Sequence, residues 1–147
     1  KIMEMNSNLK KTLQDKFNDT FLIEEMASSP IVEMLIGIEP DQQFGYSLLI
    51  GSGGTQAEII NDTTTILMPT TKVEILTAIK KLKLFKLING FRRAKKVNLE
   101  NLVSDILNIV SFFEKNKNLY SSLEINPLFV YEDTTCAVDA VIRSVQN

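Results

Sequence analysis

The segment Leu123-Glu124-Ile125-Asn126-Pro127-Leu128 holds the residues best suited to chemistry. In an extended strand Glu124 and Asn126 share one face while Leu123 and Ile125 share the other. Any half-buried strand shows the same pattern, with its polar side chains simply solvated. A two-residue turn at Glu132-Asp133 brings the chain back so that Asn126 lies directly opposite Asp139 on the same face. A slip of one residue would destroy that juxtaposition. Asp139 sits among Ala137, Val138, Ala140, Val141 and Ile142, where a carboxylate is costly if buried without a partner. Arg143 shares its parity two pairs away. A carboxylate and a carboxamide oxygen suit Mg²⁺, which takes few protein oxygens and completes its shell with phosphate and water. A purely structural Asp139 is the competing reading.

Gly51-Ser52-Gly53-Gly54 concentrates three of the six glycines. It is neither a Walker A loop, since no Gly-Lys-Ser/Thr follows, nor a dinucleotide fingerprint. Glycine lets backbone approach a phosphate closely, and a plain tight turn needs the same residues. Glu33 and Glu58 are further acidic candidates on strands, with a structural role or one supporting the site from behind it the default. Lys80, Lys81, Lys83, Lys86, Arg92, Arg93, Lys95 and Lys96 are half of the 16 basic residues, with no acid between them. With Phe85 and Phe91 the only aromatics among them, a solvated helix face and basic loop is expected rather than a nucleic-acid surface.

The elements that must position these groups follow from periodicity. Ile2, Met5, Leu9 and Leu13 indicate an amphipathic helix ending near Phe17. Phe21-Leu22-Ile23 reads as a short strand, Ser28-Ser29-Pro30 as a turn, and Ile31 to Ile38 as a strand closed by a turn at Glu39-Pro40-Asp41. Strands follow at Tyr46 to Ile50, Ala57 to Ile60 and Thr64 to Leu67. Thr71-Lys72-Val73-Glu74 is a capping box that opens a helix with Ile75, Leu76, Ile79 and Leu82 on its apolar face. Asn89-Gly90 is a break. Asn98 caps a longer helix with the stripe Leu99, Leu102, Val103, Ile106, Val110 and Phe113. Leu123 to Val130 and Ala137 to Ile142 are the last strands. Hairpin-like strand pairs with helices mostly in the second half give an α+β fold, a largely antiparallel sheet with helices on one face.

At 147 residues, 44% hydrophobic and 23% charged, the chain fits a single domain, 1–147, with a packed core. The absence of histidine excludes a Ser-His-Asp triad, a Cys-His pair and a histidine-ligated zinc within this chain. Cys136, the single cysteine, cannot form an internal disulfide and is expected to be a buried, inert thiol. Short apolar runs predict no membrane span, and with no leader pattern a cytoplasmic location is expected. A net charge of −2 argues against general polyanion binding. A chain starting at Lys1 suggests a piece of a longer protein.

In combination these segments resemble the ATP-grasp domain of NDP-forming acyl-CoA synthetases, the ADP-forming acetyl-CoA synthetase type, related to the succinyl-CoA synthetase β subunit. The resemblance runs from about residue 20 to the C-terminus, through Phe21 to Met26, Gly37 with Asp41 to Gly45, Gly51 to Glu58, Leu87 to Arg92, Leu123 to Leu128 and Ala137 to Ala140. It implies an ATP-grasp C-terminal lobe that uses ATP/ADP and Mg²⁺, with metal ligands at Asn126 and Asp139. It also implies that Glu124 faces a phosphohistidine and that Glu24, Glu25 and Met26 hold adenine and ribose, with Gly53 and Gly54 near the transferring phosphate. Arg92 would hold phosphate or a neighbouring domain.

The implied partners are a nucleotide, the remaining ATP-grasp lobe with its phosphate-binding lysine, and CoA-binding domains or a subunit, with no nucleic acid and no membrane. The isolated chain is expected to be inactive. The family usually carries arginine where Ile66 and Val141 stand, so a degenerate site is the alternative, as in a regulatory or binding module attached to a protein-lysine acetyltransferase.

Overall fold

The computed structural model describes residues 24–54, 61–93 and 95–145. The helix expected at Ile2 to Phe17, the strands at Phe21 to Ile23 and Ala57 to Ile60, and Glu58 lie outside the described residues.

Six strands form one antiparallel sheet: β1 (Val32–Asp41), β2 (Gly45–Ser52), β3 (Thr63–Leu67), β4 (Tyr120–Val130), β5 (Thr135–Ala137) and β6 (Ala140–Ser144). The order is β3-β2-β1-β4-β5, and β6 continues beyond β5 along the same side of β4. The helices α1 (Lys72–Lys81), α2 (Phe85–Ile88) and α3 (Leu99–Asn116) and a 3-10 turn (Phe91–Arg93) fall between β3 and β4. The α+β architecture with helices on one face is as the sequence predicts.

Both main helices begin where their caps dictate. The Thr71 hydroxyl accepts from the Glu74 amide while the Glu74 carboxylate accepts from the Thr71 amide, so two free helix-start donors are satisfied reciprocally. The Asn98 side chain accepts from the amides of Glu100 and Asn101. The helices bury Ile75 and Ile79 of α1 and Leu102, Ile106 and Phe113 of α3 against Met34, Ile36, Leu48 and Ile50 of the sheet. Phe113 is fully buried and meets Tyr46 edge-on, with centroids 4.9 Å apart and planes at 71°.

Two expectations are corrected. The β1–β2 turn is not at Glu39-Pro40-Asp41: β1 runs through Pro40, which pairs with Tyr46. The turn belongs to Asp41, whose carboxylate accepts from the amides of Gln43 and Phe44, and to Gly45, at φ 91°. An acceptor two and three residues back plus a left-handed glycine outweighs proline as a turn signal. Cys136 is exposed, not buried. It lies on β5 at the sheet margin, where the last residues of the hairpin have solvent beside them.

The strand expected over Ala137 to Ile142 is broken by a bend at Val138-Asp139. Opposite the bend lies Pro127, which cannot donate to the ladder. Its carbonyl accepts from the Val138 amide, and the Asn126 amide donates to the Asp139 carbonyl at 3.0 Å. On its other side β4 is bulged: Met34 pairs with Leu128 but Ile36 with Ile125, so Asn126 and Pro127 together face Leu35. The bulge lets Leu123 and Ile125 before it, and Leu128 and Val130 after it, all lie buried.

Candidate functional site

The sheet face turned away from the helices carries the groups of interest. The β4–β5–β6 register is the one that the Glu132-Asp133 turn demands. The Tyr131 amide donates to the Thr134 carbonyl, Val130 pairs with Thr135, Leu128 with Ala137 and Ile125 with Ala140. Asn126 is thereby brought opposite Asp139. Asp139 is exposed at the bend, so the cost of a buried lone carboxylate does not arise. Glu124 is also exposed, between Gly37 on β1 and Val141 on β6.

The Gly53-Gly54 loop is built onto this pair. The Gly54 amide donates to Asn126 Oδ1 at 3.0 Å, a contact spanning 72 residues of sequence. The Gly53 amide donates to the Glu33 carbonyl at 2.8 Å. A side chain at Gly53 would collide with the Met34 carbonyl, and one at Gly54, at φ 75°, with the Glu33 carboxylate. Gly53 is therefore required by the close approach of Met34 backbone, and Gly54 by its left-handed φ. Glu33, expected to be structural or to support the site from behind it, has its carboxylate packed against this loop. The available signal was its parity with Gly37 on β1, which puts both on the open face.

Glu24, Glu25 and Met26 are exposed, Met26 at 91%. Glu25 and Met26 line an open groove of about 500 Å³ with Tyr131, Thr134 and Cys136. The segment is tied to the hairpin by Tyr131 Oη, which donates to the Ser28 carbonyl at 2.9 Å. Among the described residues no hydrogen bond joins Glu24, Glu25 or Met26 to Asn126, Gly54 or Asp139. A more apolar groove of about 360 Å³ between α1 and α3 is lined by Lys72, Val73, Leu76, Lys80, Leu99, Glu100 and Val103. It lies on the helices and shares no residue with the Asn126 loop.

The two departures from the family pattern sit differently. Ile66 pairs with Leu48 and packs against the core, on the helix-covered face. Val141 is opposite Glu124 and 48% exposed, on the face of interest. Of the two positions, only that of Val141 lies beside Glu124.

No group of three or more His, Cys, Asp or Glu side chains arranged to hold a metal exists among the described residues. The donors present are hard oxygens, one on β4 and one at the bend opposite it, and Asn126 Oδ1 retains a lone pair beyond its bond to Gly54. Such a set fits Mg²⁺ arriving with nucleotide phosphates and does not form an all-protein cage. No described helix is long and apolar enough to cross a membrane.

The ATP-grasp domain model matches residues 1–143. The chain is 36% identical over 108 residues, 74% of its length, to the β subunit of ADP-forming acetate–CoA ligase I of Pyrococcus furiosus. It is 29% identical over 135 residues, 92% of its length, to the β subunit of ligase II of that organism. It spans about half of these curated relatives, 46% and 57% respectively. Among solved structures it resembles acetyl-coenzyme A synthetase 1 of Ca. Korarchaeum cryptofilum in complex with coenzyme A and Mg-AMPPCP. That match has a TM-score of 0.73 and 29% identity, and covers 80% of this chain and 55% of the other. A second structure of that enzyme gives a TM-score of 0.80 at 26% identity, over 97% of this chain and 62% of the other. With its open-faced antiparallel sheet, its glycine loop fastened to Asn126 and these matches along nearly the whole sequence, the chain belongs to the ATP-grasp domain family.

Proposed function

We propose that this chain is the C-terminal, nucleotide- and Mg²⁺-holding lobe of an ADP-forming acyl-CoA synthetase, acetyl-CoA or a similar acyl-CoA being the thioester. The whole protein would interconvert acyl-CoA, ADP and phosphate with the free acid, CoA and ATP, through an acyl phosphate and a phosphohistidine. Residues 1–147 would form one domain with the remaining ATP-grasp lobe, and CoA-binding domains or a companion subunit would supply the histidine. The single observation that carries this reading is the bond from the Gly54 amide to Asn126 Oδ1, with Asn126 opposite Asp139.

In this reading Asn126 and Asp139 are the metal ligands. Bound with the nucleotide, Mg²⁺ would neutralise charge on its phosphates. The Gly53-Gly54 backbone would lie along the phosphates, with the absence of side chains there allowing close approach. Glu124, exposed beside Gly37, would orient the phosphorylated group. Glu24, Glu25 and Met26 would hold adenine and ribose through backbone groups and a carboxylate that accepts from the hydroxyls.

Calorimetry on the full-length protein tests this. ATP or ADP should bind only with Mg²⁺, and Asp139→Ala and Asn126→Ala should each abolish or strongly weaken that Mg²⁺-dependent binding. Asp139→Ala is the cleaner variant, since its carboxylate makes no hydrogen bond among the described residues, whereas Asn126→Ala also releases the Gly54 amide. Nucleotide binding that neither substitution alters would refute the assignment.

A further inference from the structure

Asp62 is a buried carboxylate, 6% exposed, that the proposed chemistry leaves without a role. It immediately precedes β3 and follows Asn61, which takes φ 44°. Its two oxygens are used as acceptors by two separate parts of the chain. On one side Oδ1 accepts from the Lys83 amide at 2.9 Å and Oδ2 from the Leu84 amide at 2.8 Å. These amides belong to the turn between α1 and α2. On the other side Oδ2 accepts from the Ser52 hydroxyl at 3.2 Å, and the Asp62 carbonyl accepts from the Ser52 amide at 2.9 Å. Ser52 is itself buried and is the last residue of β2, directly before Gly53.

We propose that Asp62 is a positioning residue for the Gly53-Gly54 loop, fixing the loop at its N-terminal end as Asn126 fixes it at its C-terminal end. The proposal rests on the nucleotide-site reading above for its functional consequence. The reason is geometric. A glycine pair has no side chains with which to hold its own place and has the largest backbone freedom to lose. Its position is set by what clamps its neighbours. Downstream the clamp is the Gly54 amide on Asn126, and within the loop it is the Gly53 amide on the Glu33 carbonyl. Upstream it is Ser52, held at both backbone amide and hydroxyl by one residue. Asp62 is in turn immobilised by the helix-side turn, which is pinned by buried Leu82 and Leu84. A carboxylate suits this position, because among the described residues every group bonded to its two oxygens is a donor. An asparagine would turn its NH₂ toward one of them.

The test uses the full-length protein, with Mg-ATP as probe, and two readouts: Mg-ATP affinity by calorimetry, and amide exchange at Gly53 and Gly54. Ser52→Ala removes one ordinary hydrogen bond and should weaken Mg-ATP binding about fivefold. Asp62→Asn should weaken it at least about tenfold, by adding an opposed donor. Both should speed exchange at Gly53 and Gly54 while leaving Leu48 and Ile50 unchanged. Ile106→Val is the control, a core truncation on α3 that lowers stability without touching the loop. It should bind Mg-ATP within about twofold of wild type. If Ser52→Ala and Asp62→Asn bind normally and Gly53 and Gly54 exchange at the wild-type rate, the proposal is overturned. It is also overturned if Ile106→Val weakens binding as much as they do, since the effect is then general loss of stability. Should the wild-type protein bind no nucleotide, the function reading fails, and the exchange rates alone decide the positioning role.

Discussion

Replacing Gly53 with alanine probes how tightly the site is built. An added Cβ would overlap the Met34 carbonyl and lie 3.0 Å from the Leu35 amide nitrogen. Both are backbone atoms of the central strand, so neither can swing aside as a side-chain tip would. The loop must move instead, which stretches the 2.8 Å bond from the Gly53 amide to the Glu33 carbonyl. Overpacking costs about 1–3 kcal/mol, and a lost hydrogen bond about 1 kcal/mol more. The expected loss is about 2–4 kcal/mol, or roughly 5–15 °C in Tm for a chain of this length. Gly37→Ala is the comparison, since its Cβ meets only the Leu49 side chain at 3.5 Å, an ordinary contact. It should change stability by less than about 1 kcal/mol in either direction. Thermal denaturation followed by circular dichroism, alongside Mg-ATP calorimetry, measures both effects. A Gly53→Ala protein within about 2 °C of wild type that binds Mg-ATP normally would refute the packing argument.

Two further outcomes follow from the helices. The Thr71 hydroxyl and amide beside Glu74 hold its carboxyl below the ordinary 4.5, so this cap's contribution is present above that value. It is lost as pH falls through the lowered folded value. Protection of the amides at the start of α1, taken relative to the intrinsic exchange rate at each pH, should therefore fall in acid, and Glu74→Gln should remove that pH dependence; wild-type protection that stays constant would contradict it. Phe113→Ala deletes a fully buried ring in edge contact with Tyr46 and should cost about 3–5 kcal/mol by urea denaturation, and a loss below about 1 kcal/mol would mean that the space refills.

The sequence was most readable where one local rule decides the outcome. The Glu132-Asp133 turn sets the strand register by counting alone, and the Asn126 amide bonds the Asp139 carbonyl as that counting requires. The caps at Thr71 and Asn98 also follow from residues within one helical turn. It was least readable where distant partners decide. Cys136 has apolar neighbours in sequence, but it pairs with Phe129, which alternates with buried Leu128 and Val130, and this puts it on the open face of the sheet. Pro40 reads as a breaker, yet beside a hairpin end it is tolerated within a strand. Asp62 falls between the strands expected at Ala57 to Ile60 and Thr64 to Leu67, and its carboxylate is held by amides 21 and 22 residues away. The contact between the Gly54 amide and Asn126 has no sequence signature beyond the residue types themselves.

The doubled pair at Asn126-Pro127 has one more consequence. It acts as a phase shift within a single strand: Leu123 and Ile125 point into the core ahead of it, Leu128 and Val130 behind it. Deleting one residue there would restore an uninterrupted alternation. Either Leu128 and Val130 or Leu123 and Ile125 would then be swung out to water. The irregularity that presents Asn126 to the glycine loop is thus the same one that keeps the whole ribbon amphipathic.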